Sequence, residues 1–233
     1  MPLYLVPSPL GEGALDSIPP ATLTILRDIR HFVVETGKVA RRFLKEAGLN
    51  HPLQECTYYE LNKRTRPDEL PTFLAAARRG EAVGLLSDAG APGVADPGAR
   101  LVRLAHAEGI PVVPLVGPSA ILLSLMAAGL DGQRFTFHGY LSPKRNQLAR
   151  DLRRLEADSR RHRQTQVWIE APYRNAATVE VAAATLAPDT LFSVACDLTT
   201  DREWVRTAPA GTWDPAAGGA LHKRPAMFLL LAQ

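Results

Sequence analysis

The sequence predicts an α/β protein, because short apolar runs alternate with helical patterns from the first residue to roughly residue 130. Apolar residues recur at helical spacing within Leu23–Ile29, Val39–Ala47, Leu101–Ala105 and Leu122–Met126, which predicts helices there. We expect a mostly parallel sheet in the first half of the chain. Eight apolar runs are predicted as buried strands: Leu3–Val6, Phe32–Glu35, Ala82–Ser87, Pro111–Val116, Phe135–Tyr140, Gln166–Ala171, Phe192–Asp197 and Met227–Ala232.

A change of domain is predicted near Gly129–Gln133, where two glycines and an aspartate interrupt the pattern. The length of 233 residues accommodates one large domain or two small ones. We therefore expect two α/β domains, over residues 1–130 and 131–233. The segment Thr207–Ala220 is predicted to be a surface loop before the last strand.

Composition limits the classes of function. Hydrophobic residues make up 46% of the chain, which is enough for a sizeable core. The net charge of +3 permits a nucleic-acid or phosphate-bearing partner without requiring one. Cys56 and Cys196 form no CxxC motif, so we expect neither a metal site nor a redox motif. No apolar window approaches the roughly 20 residues of a membrane span, and we expect a soluble, cytoplasmic protein.

The stretch Leu85–Gly98, "LLSDAGAPGVADPG", begins as a buried strand and ends as a turn rich in glycine and proline. A loop at the end of a strand is a common ligand site in an open α/β sheet. It has neither the Gly-Lys of a P-loop nor a dinucleotide fingerprint. Asp88 beside glycines suits a cationic or hydroxyl-rich ligand. The alternative is a tight turn that Asp96 closes at a helix start.

Four motifs occur together in one order: "SDAGAPGVADPG" (Ser87–Gly98), "VVPLVGPSA" (Val112–Ala120), "FHGYLSPK" (Phe137–Lys144) and "IEAPYRN" (Ile169–Asn175). In this order and spacing they resemble the tetrapyrrole methylase superfamily, the class III S-adenosylmethionine-dependent methyltransferases. Within it they resemble the branch that methylates a cytidine ribose 2′-oxygen in 16S ribosomal RNA. The resemblance runs from residue 3 to about residue 232.

The resemblance implies two α/β domains with S-adenosylmethionine bound in a cleft between them. Asp88 or backbone carbonyls would stabilise the sulfonium, and the helix after Ser119 would receive the methionine carboxylate. The segment Pro225–Leu231 would line the adenine slot, or it is a plain core strand. The implied cofactor contacts are Leu10, Asp88, Ala89, Gly90, Ala91, Ser119, Ala120, Ala171, Ala226 and Met227.

The chain departs from the branch's pattern on the substrate side. Glu12 replaces an asparagine, and Glu35–Lys38 reads "ETGK" where the branch has "EDTR". Tyr58–Thr65 reads "YYELNKRT" where "YHEHNE" is expected, so basic Lys63 and Arg64 appear and the histidines are absent. The resemblance therefore specifies the cofactor and leaves the methyl acceptor open.

Four residues are candidates for catalysis: Glu35, Lys144, Glu170 and Arg174. A base near the acceptor hydroxyl would help, because a ribose hydroxyl is a weak nucleophile. Each has an alternative interpretation. Glu35 can be a solvated strand-end carboxylate and Lys144 a solvated helix start. Glu170 and Arg174 can form an internal salt bridge, although Arg174 could instead clamp a phosphate.

The run Lys144–Arg163 carries eight Lys and Arg residues against three acids, with Leu148, Leu152 and Leu155 at helical spacing. Its basic face either follows a nucleic-acid backbone or is a solvated surface. His138 in its strand is expected to be a core histidine rather than a catalytic one.

Three functions remain open: methylation of RNA, most specifically of a ribose 2′-oxygen; methylation of a tetrapyrrole, a protein side chain or another small molecule; and a non-catalytic module that binds S-adenosylmethionine or RNA. The resemblance also implies a homodimer.

Overall fold

The computed structural model describes residues 1–233, except for the side chains of Pro215 and Ala217. The chain divides into two compact units, Met1–Ser119 and Ala120–Gln233, and each contains a five-stranded sheet. This division falls earlier than the expected boundary after residue 130, because the helix Ala120–Ala128 packs against strands of the second sheet.

The first unit is a parallel sheet in the order β3-β2-β4-β1-β5, and every pairing in it is parallel, as expected. Its strands are β1 (Leu3–Val6), β2 (His31–Val34), β3 (Thr57–Glu60), β4 (Val83–Leu86) and β5 (Val112–Pro114). Its helices are α1 (Pro20–Arg27), α2 (Gly37–Ala47), α3 (Leu70–Phe73), α4 (Ala75–Arg78) and α5 (Ala99–Ala107).

Both faces of the first sheet are buried. Val33 and Leu85 belong to one hydrophobic cluster, whereas their chain neighbours Val34 and Leu86 belong to another. Successive residues of a strand point to opposite faces, so the two clusters cover the two sides of the sheet. This double burial explains why these strands read as continuous apolar runs in the sequence.

The second unit contains helices α6 (Ala120–Ala128), α7 (Arg145–His162) and α8 (Asn175–Thr185). Its strands are β6 (Phe135–Tyr140), β7 (Thr165–Glu170), β8 (Leu191–Cys196), β9 (Trp204–Pro209) and β10 (Ala226–Leu231). The sheet order is β6-β7-β10-β8-β9; β6 pairs parallel with β7, and the other pairings are antiparallel. The core contains the stacked rings of Trp168, Phe192 and Phe228.

Two strands, β3 and β9, were not among the eight predicted from the sequence. Both lie at an edge of their sheet, and most of their residues are only partly buried. An edge strand needs fewer apolar residues, so its sequence pattern is weak. The predicted loop over Thr207–Ala220 is wrong at its start, since Thr207–Pro209 belongs to β9; 3-10 turns follow at Ala210–Thr212 and Pro215–Leu221.

Within the described part of the chain, no helix is both long and apolar enough to cross a membrane.

Candidate active site

The carboxyl ends of four parallel strands meet at one edge of the first sheet, which we call the first carboxyl edge. Val6 of β1, Val34 of β2 and Leu86 of β4 pair in register, and Glu60 of β3 pairs with Val34. The loops that leave these strands therefore carry Leu10, Glu35 and Asp88 to the edge of the sheet at which Glu60 ends β3. This is the position at which ligands bind in open α/β sheets.

The loop after β4, Ser87–Gly98, is named here the glycine loop, and it is attached to the loop after β1. Ser8 and Gly90 exchange backbone hydrogen bonds of 3.0 and 2.9 Å. The Ser8 hydroxyl donates to the Ser87 carbonyl at 2.9 Å, and the Ser87 hydroxyl donates to the Gly90 carbonyl at 3.0 Å. Two buried serines thus fix the conformation of the predicted cofactor loop.

Gly90 lies where backbone segments approach closely. Its φ is +73°, and a Cβ there would lie 3.1 Å from Cδ2 of Leu10 and 3.6 Å from the carbonyl oxygen of Pro118. The structure therefore brings Leu10, Gly90 and the residue before Ser119 together, and Ala89 and Ala91 flank Gly90. The glycine is required both by its positive φ and by this lack of space.

Asp96 closes the far half of the glycine loop. Its carboxylate accepts the backbone N–H of Gly93 at 2.9 Å and that of Gly98 at 2.7 Å, directly before α5. Burial raises the pKa of Asp96, and the two backbone hydrogen bonds oppose that rise. Asp96 thus closes the turn, as the alternative interpretation expected, while Asp88 lies at the other end of the loop.

Glu35 and Asp88 are in contact at the first carboxyl edge. The backbone N–H of Asp88 donates to Oε2 of Glu35 at 3.3 Å, and the Thr36 hydroxyl donates to Oδ2 of Asp88 at 2.7 Å. Burial raises the pKa of Glu35; the Asp88 N–H opposes this, and the charges of Asp88 and Asp96 add to it. Glu35 is therefore a partly buried carboxylate with more basic character than a solvated one.

A pocket of about 380 Å³ opens beside Glu35 at the ends of β2 and β3. Sequence reasoning placed Glu35 at a site but missed Glu60 and Asn62, because β3 was not predicted. The pattern "TYYE" of β3, with two aromatic residues, is the signal that could have identified that strand. The pocket is lined by Glu35, Thr36, Glu60, Asn62, Lys63, Arg64 and Pro97.

A second group of predicted residues lies at one edge of the second sheet. Ala226, at the start of β10, pairs with Glu170 on one side and Cys196 on the other, so Ala171 follows at the same edge. Met227 pairs with Ile169 and is buried. Ala226, Phe228 and Leu230 belong to the hydrophobic core, so the core-strand interpretation of Pro225–Leu231 holds for these residues.

Glu170 and Arg174 form an internal ion pair. The Glu170 side chain is only 1% exposed, and its Oε1 accepts from Nη2 of Arg174 at 2.5 Å, from Nε at 2.7 Å and from the Ala171 N–H at 2.6 Å. The salt bridge considered as an alternative for this pair is therefore present. It connects the end of β7 to the start of α8.

Asp197 ends the predicted strand Phe192–Asp197, and in the structure it follows β8 at the same edge as Ala226. Its buried carboxylate accepts from Nε of Arg224 at 2.7 Å and lies 3.7 Å from Nη2 of Arg202. Asp197 also has a positive φ of +47°. Arg224 lies 27 residues further along the chain, and no local pattern pairs the two.

Lys144 lies directly before α7, and its side chain is exposed. Leu148, Leu152 and Leu155 are buried, so the predicted inward face of α7 is confirmed. Nε2 of His138 lies 2.6 Å from Oε1 of Gln166, which satisfies the histidine within the sheet. A pocket of about 340 Å³ is lined by Lys144, Arg145, Asn146, Gln147 and Arg150.

Ser119 directly precedes α6, and Ala120 is its first residue. Their roles in cofactor binding stay predictions, as do those of the other implied contacts and the cleft between the two domains. Among the described residues, no group of three or more His, Cys, Asp or Glu side chains is placed to hold a metal ion.

The family model of tetrapyrrole (corrin/porphyrin) methylases matches residues 2–214. The chain belongs to this family. The predicted superfamily and the predicted enzyme class, a methyltransferase, are confirmed, and S-adenosylmethionine as the predicted methyl donor accords with that class.

Curated relatives are named ribosomal RNA small subunit methyltransferase I. The one from Pseudomonas aeruginosa is 37% identical over 172 residues, covering 74% of this chain and 57% of its own length. Relatives from Escherichia coli O157:H7 and Xylella fastidiosa are 32% and 31% identical, covering 90% and 99% of this chain and 69% and 81% of their own lengths. This chain thus matches little more than half of the Pseudomonas relative.

Solved structures agree with the fold. Cobalt precorrin-4 methyltransferase CbiF matches with a TM-score of 0.65 at 16% identity, over 98% of this chain and 94% of its own. The methyltransferase CobJ matches with a TM-score of 0.63 at 19% identity, over the whole of both chains. The predicted two-domain α/β fold class is therefore confirmed.

Proposed function

We propose that this chain transfers a methyl group from S-adenosylmethionine to a ribose 2′-oxygen of small-subunit ribosomal RNA. The observation that carries the proposal is the similarity to relatives of that name, which extends over 99% of this chain in the Xylella fastidiosa protein. The choice of the ribose 2′-oxygen as the acceptor atom rests on the resemblance of the four sequence motifs to the branch that methylates this oxygen.

The first carboxyl edge fits one end of the cofactor. The β-bridge between Ser8 and Gly90 fixes the backbone of Ala89–Ala91. Gly90 leaves empty the space that a Cβ would occupy. Asp88 supplies a negative charge for a sulfonium, since an opposite charge nearby stabilises a cation. When bound, S-adenosylmethionine supplies the electrophilic methyl group. We assign Leu10 to the same subsite because it touches the position of that missing Cβ.

Glu35 is proposed as the group that accepts the proton of the acceptor hydroxyl. Its carboxylate is partly buried and is oriented by the Asp88 N–H, so it is attached to the loop proposed to hold the donor. Partial burial raises the pKa of Glu35, which makes its carboxylate a better base. Placement of the acceptor oxygen contributes the rest of the rate.

The other candidates receive different roles. Glu170 and Arg174 are proposed as positioning residues, because their charges are satisfied by each other. They hold the start of α8 against β7 beside Ala171. Lys144 is exposed and is proposed to contact the acceptor's phosphates rather than the reacting atoms.

Transfer of tritium from labelled S-adenosylmethionine tests the proposal. We expect label in small-subunit ribosomal RNA, offered both as free RNA and as the assembled subunit. Alkali cleaves RNA through a free 2′-hydroxyl, so the labelled linkage should survive as a resistant dinucleotide. Label that alkali releases as mononucleotides would contradict 2′-oxygen methylation.

Methylation of a tetrapyrrole, a protein side chain or another small acceptor is the second candidate. It is favoured by the departures at Glu12 and Thr36–Lys38 and by the description of the matching family model, which names corrin and porphyrin methylases. Label in a small-molecule or protein fraction, with none in RNA, would support it. Binding of S-adenosylmethionine with no label in any fraction would instead support a non-catalytic module.

We further propose a homodimer, from the resemblance alone, and a cytoplasmic location. The location is supported by Cys56 and Cys196, which are both free thiols. Sedimentation velocity on the purified chain tests the dimer, and a single species of about 25 kDa would contradict it, since the monomer mass is 25.3 kDa.

A further inference from the structure

The pocket beside Glu35 has a lining of mixed charge. Glu35 and Glu60 lie at the ends of β2 and β3, and Lys63 and Arg64 lie on the turn that follows β3. Carboxylates at this position accept hydrogen bonds from hydroxyl groups, and the two cations suit an anion. A sugar phosphate offers both features, hydroxyl donors and an anion, within one small unit.

The turn that carries the two cations is held rigidly. The Thr65 hydroxyl donates to the Glu60 carbonyl at 3.2 Å and accepts the Asn62 N–H at 3.0 Å. The Asn62 side chain accepts the Arg64 N–H at 2.9 Å, and Arg100 donates to the Thr65 carbonyl at 3.1 Å. The backbone beneath Lys63 and Arg64 is therefore already organised for binding.

Lys63 and Arg64 are exposed, and within the described residues neither forms an ion pair inside the chain. Many other arginines at the surface of this unit have carboxylate partners; Arg30, Arg42, Arg66, Arg78 and Arg79 are examples. Two neighbouring cations without such a partner, on a rigid turn at a pocket, are a basis for binding an external anion.

Glu60 is also fixed in place. Its Oε1 accepts the Gly37 N–H at 3.0 Å, at the first residue of α2. A Cβ on Gly37 would lie 2.7 Å from that oxygen, so glycine is what allows the carboxylate to approach. Gly37 thus fixes the Glu60 carboxylate, and the Asn62–Thr65 turn fixes the backbone that carries Lys63 and Arg64.

We propose that this pocket binds the ribose and the adjoining phosphate of the acceptor nucleotide, with Lys63 and Arg64 on the phosphodiester and Glu35 and Glu60 on sugar hydroxyls. The inference rests on the proposed RNA function and assigns the acceptor subsite to the first unit. It also gives a role to the two basic residues by which the chain departs from the pattern of its branch.

Binding of a labelled single-stranded oligoribonucleotide with a small-subunit rRNA sequence tests the inference. Fluorescence anisotropy at several salt concentrations compares wild type with Lys63→Gln, Arg64→Gln and the double variant. Each substitution should weaken binding about tenfold, as expected for loss of one charged hydrogen bond. The slope of log Kd against log salt should fall by about 0.7 for each cation removed. In the methyl-transfer assay, KM for RNA should rise.

Lys45→Gln is the matched control. Lys45 is exposed on α2, eight residues or about 12 Å of helix beyond Gly37. Its replacement by Gln removes the same single positive charge as each test variant. Thermal unfolding shows whether each variant is folded. RNA binding by the Lys63 and Arg64 variants equal to that of Lys45→Gln would overturn the inference while leaving the proposed function intact. Label found only in small molecules would overturn both.

Discussion

At the scale of the residue, Glu35 and Glu170 show how the surroundings of a strand-end carboxylate determine its chemistry. Glu170 is almost completely buried and is neutralised by Arg174. Glu35 is half-buried, receives only a long hydrogen bond from the Asp88 N–H, and lies near two further carboxylates. The first arrangement stabilises a fixed charge, whereas the second favours uptake of a proton.

Replacement of Glu35 by Gln should separate stability from activity. Because burial raises the pKa of Glu35 above its unfolded value, the charged form costs stability once the pH rises through the folded pKa. Glu35→Gln should therefore have an equal or higher Tm at neutral pH, and this difference should vanish below pH 4. Methyl transfer should fall by about 10²–10⁴-fold, the usual contribution of a general base.

The pH profile provides a second measurement of the same variant. In wild type, the acid limb of kcat/KM should lie above the ordinary glutamate range, and it should disappear in Glu35→Gln. Glu46→Gln, at an exposed position on α2, is the control and should change neither Tm nor rate. A fully active Glu35→Gln would remove Glu35 from the reaction.

Arg174→Ala should destabilise the fold, because it leaves the buried Glu170 charge without its partner. We expect a loss of about 3–5 kcal/mol in the free energy of unfolding, measured by urea titration. The double variant Glu170→Gln with Arg174→Ala should lose less, since no buried charge remains. Equal losses in the two variants would show that an unpaired Glu170 charge is not the cause of the destabilisation.

At the scale of the element, the glycine loop is defined by contacts that its own sequence does not reveal. Its sequence predicted a ligand loop or a tight turn, and the structure shows a turn closed by Asp96 and joined to Ser8 at Gly90. The joint depends on β1 and β4 being neighbours in the sheet. Strand order is a long-range property, so sequence inspection could not supply this contact.

Gly90→Ala and Gly93→Ala form a matched pair in this loop. Both glycines have positive φ, +73° and +84°, so each substitution should cost about 1–2 kcal/mol of stability. A Cβ at Gly90 would meet Leu10, whereas one at Gly93 would meet nothing within 4 Å. Calorimetric titration should therefore show weaker S-adenosylmethionine binding only in Gly90→Ala. Equal affinity in both variants would place the cofactor away from Gly90.

Strands in the interior of each sheet were predicted to within a few residues, and the two missed strands both lie at edges. β4 is buried along its whole length, while β3 is partly exposed, and hydrophobic periodicity reports burial. Because β3 was not predicted, Glu60 at its end and Asn62 just after it were not identified as residues that line a pocket.

At the scale of the whole molecule, the chain consists of two units with separate hydrophobic cores. The clusters of the first unit lie within residues 3–115, and the cluster of the second lies within residues 141–230. Each unit thus has the property expected of an independent domain. Helix α6 is assigned to the second unit by its packing on β8, β9 and β10.

Two fragments of the second unit test that assignment. The fragment 120–233 should unfold cooperatively, whereas 131–233 should be less stable because it lacks α6 and exposes the strands that α6 covers. Chemical denaturation followed by tryptophan fluorescence measures both. Identical unfolding midpoints would place the boundary after residue 130, as the sequence suggested.

The alternation of strands and helices, the interior strands, the inward face of α7 and the four motifs of the family were all determined by the sequence itself. These features are encoded locally, in the spacing of apolar residues and in short motifs. Only the tertiary structure decided that Glu35, Asp88 and the Lys63–Arg64 turn share one edge, and that Glu170 is buried at the end of β7. Those relations depend on which strands become neighbours and on the burial that follows, because both arise from contacts between residues far apart in the chain.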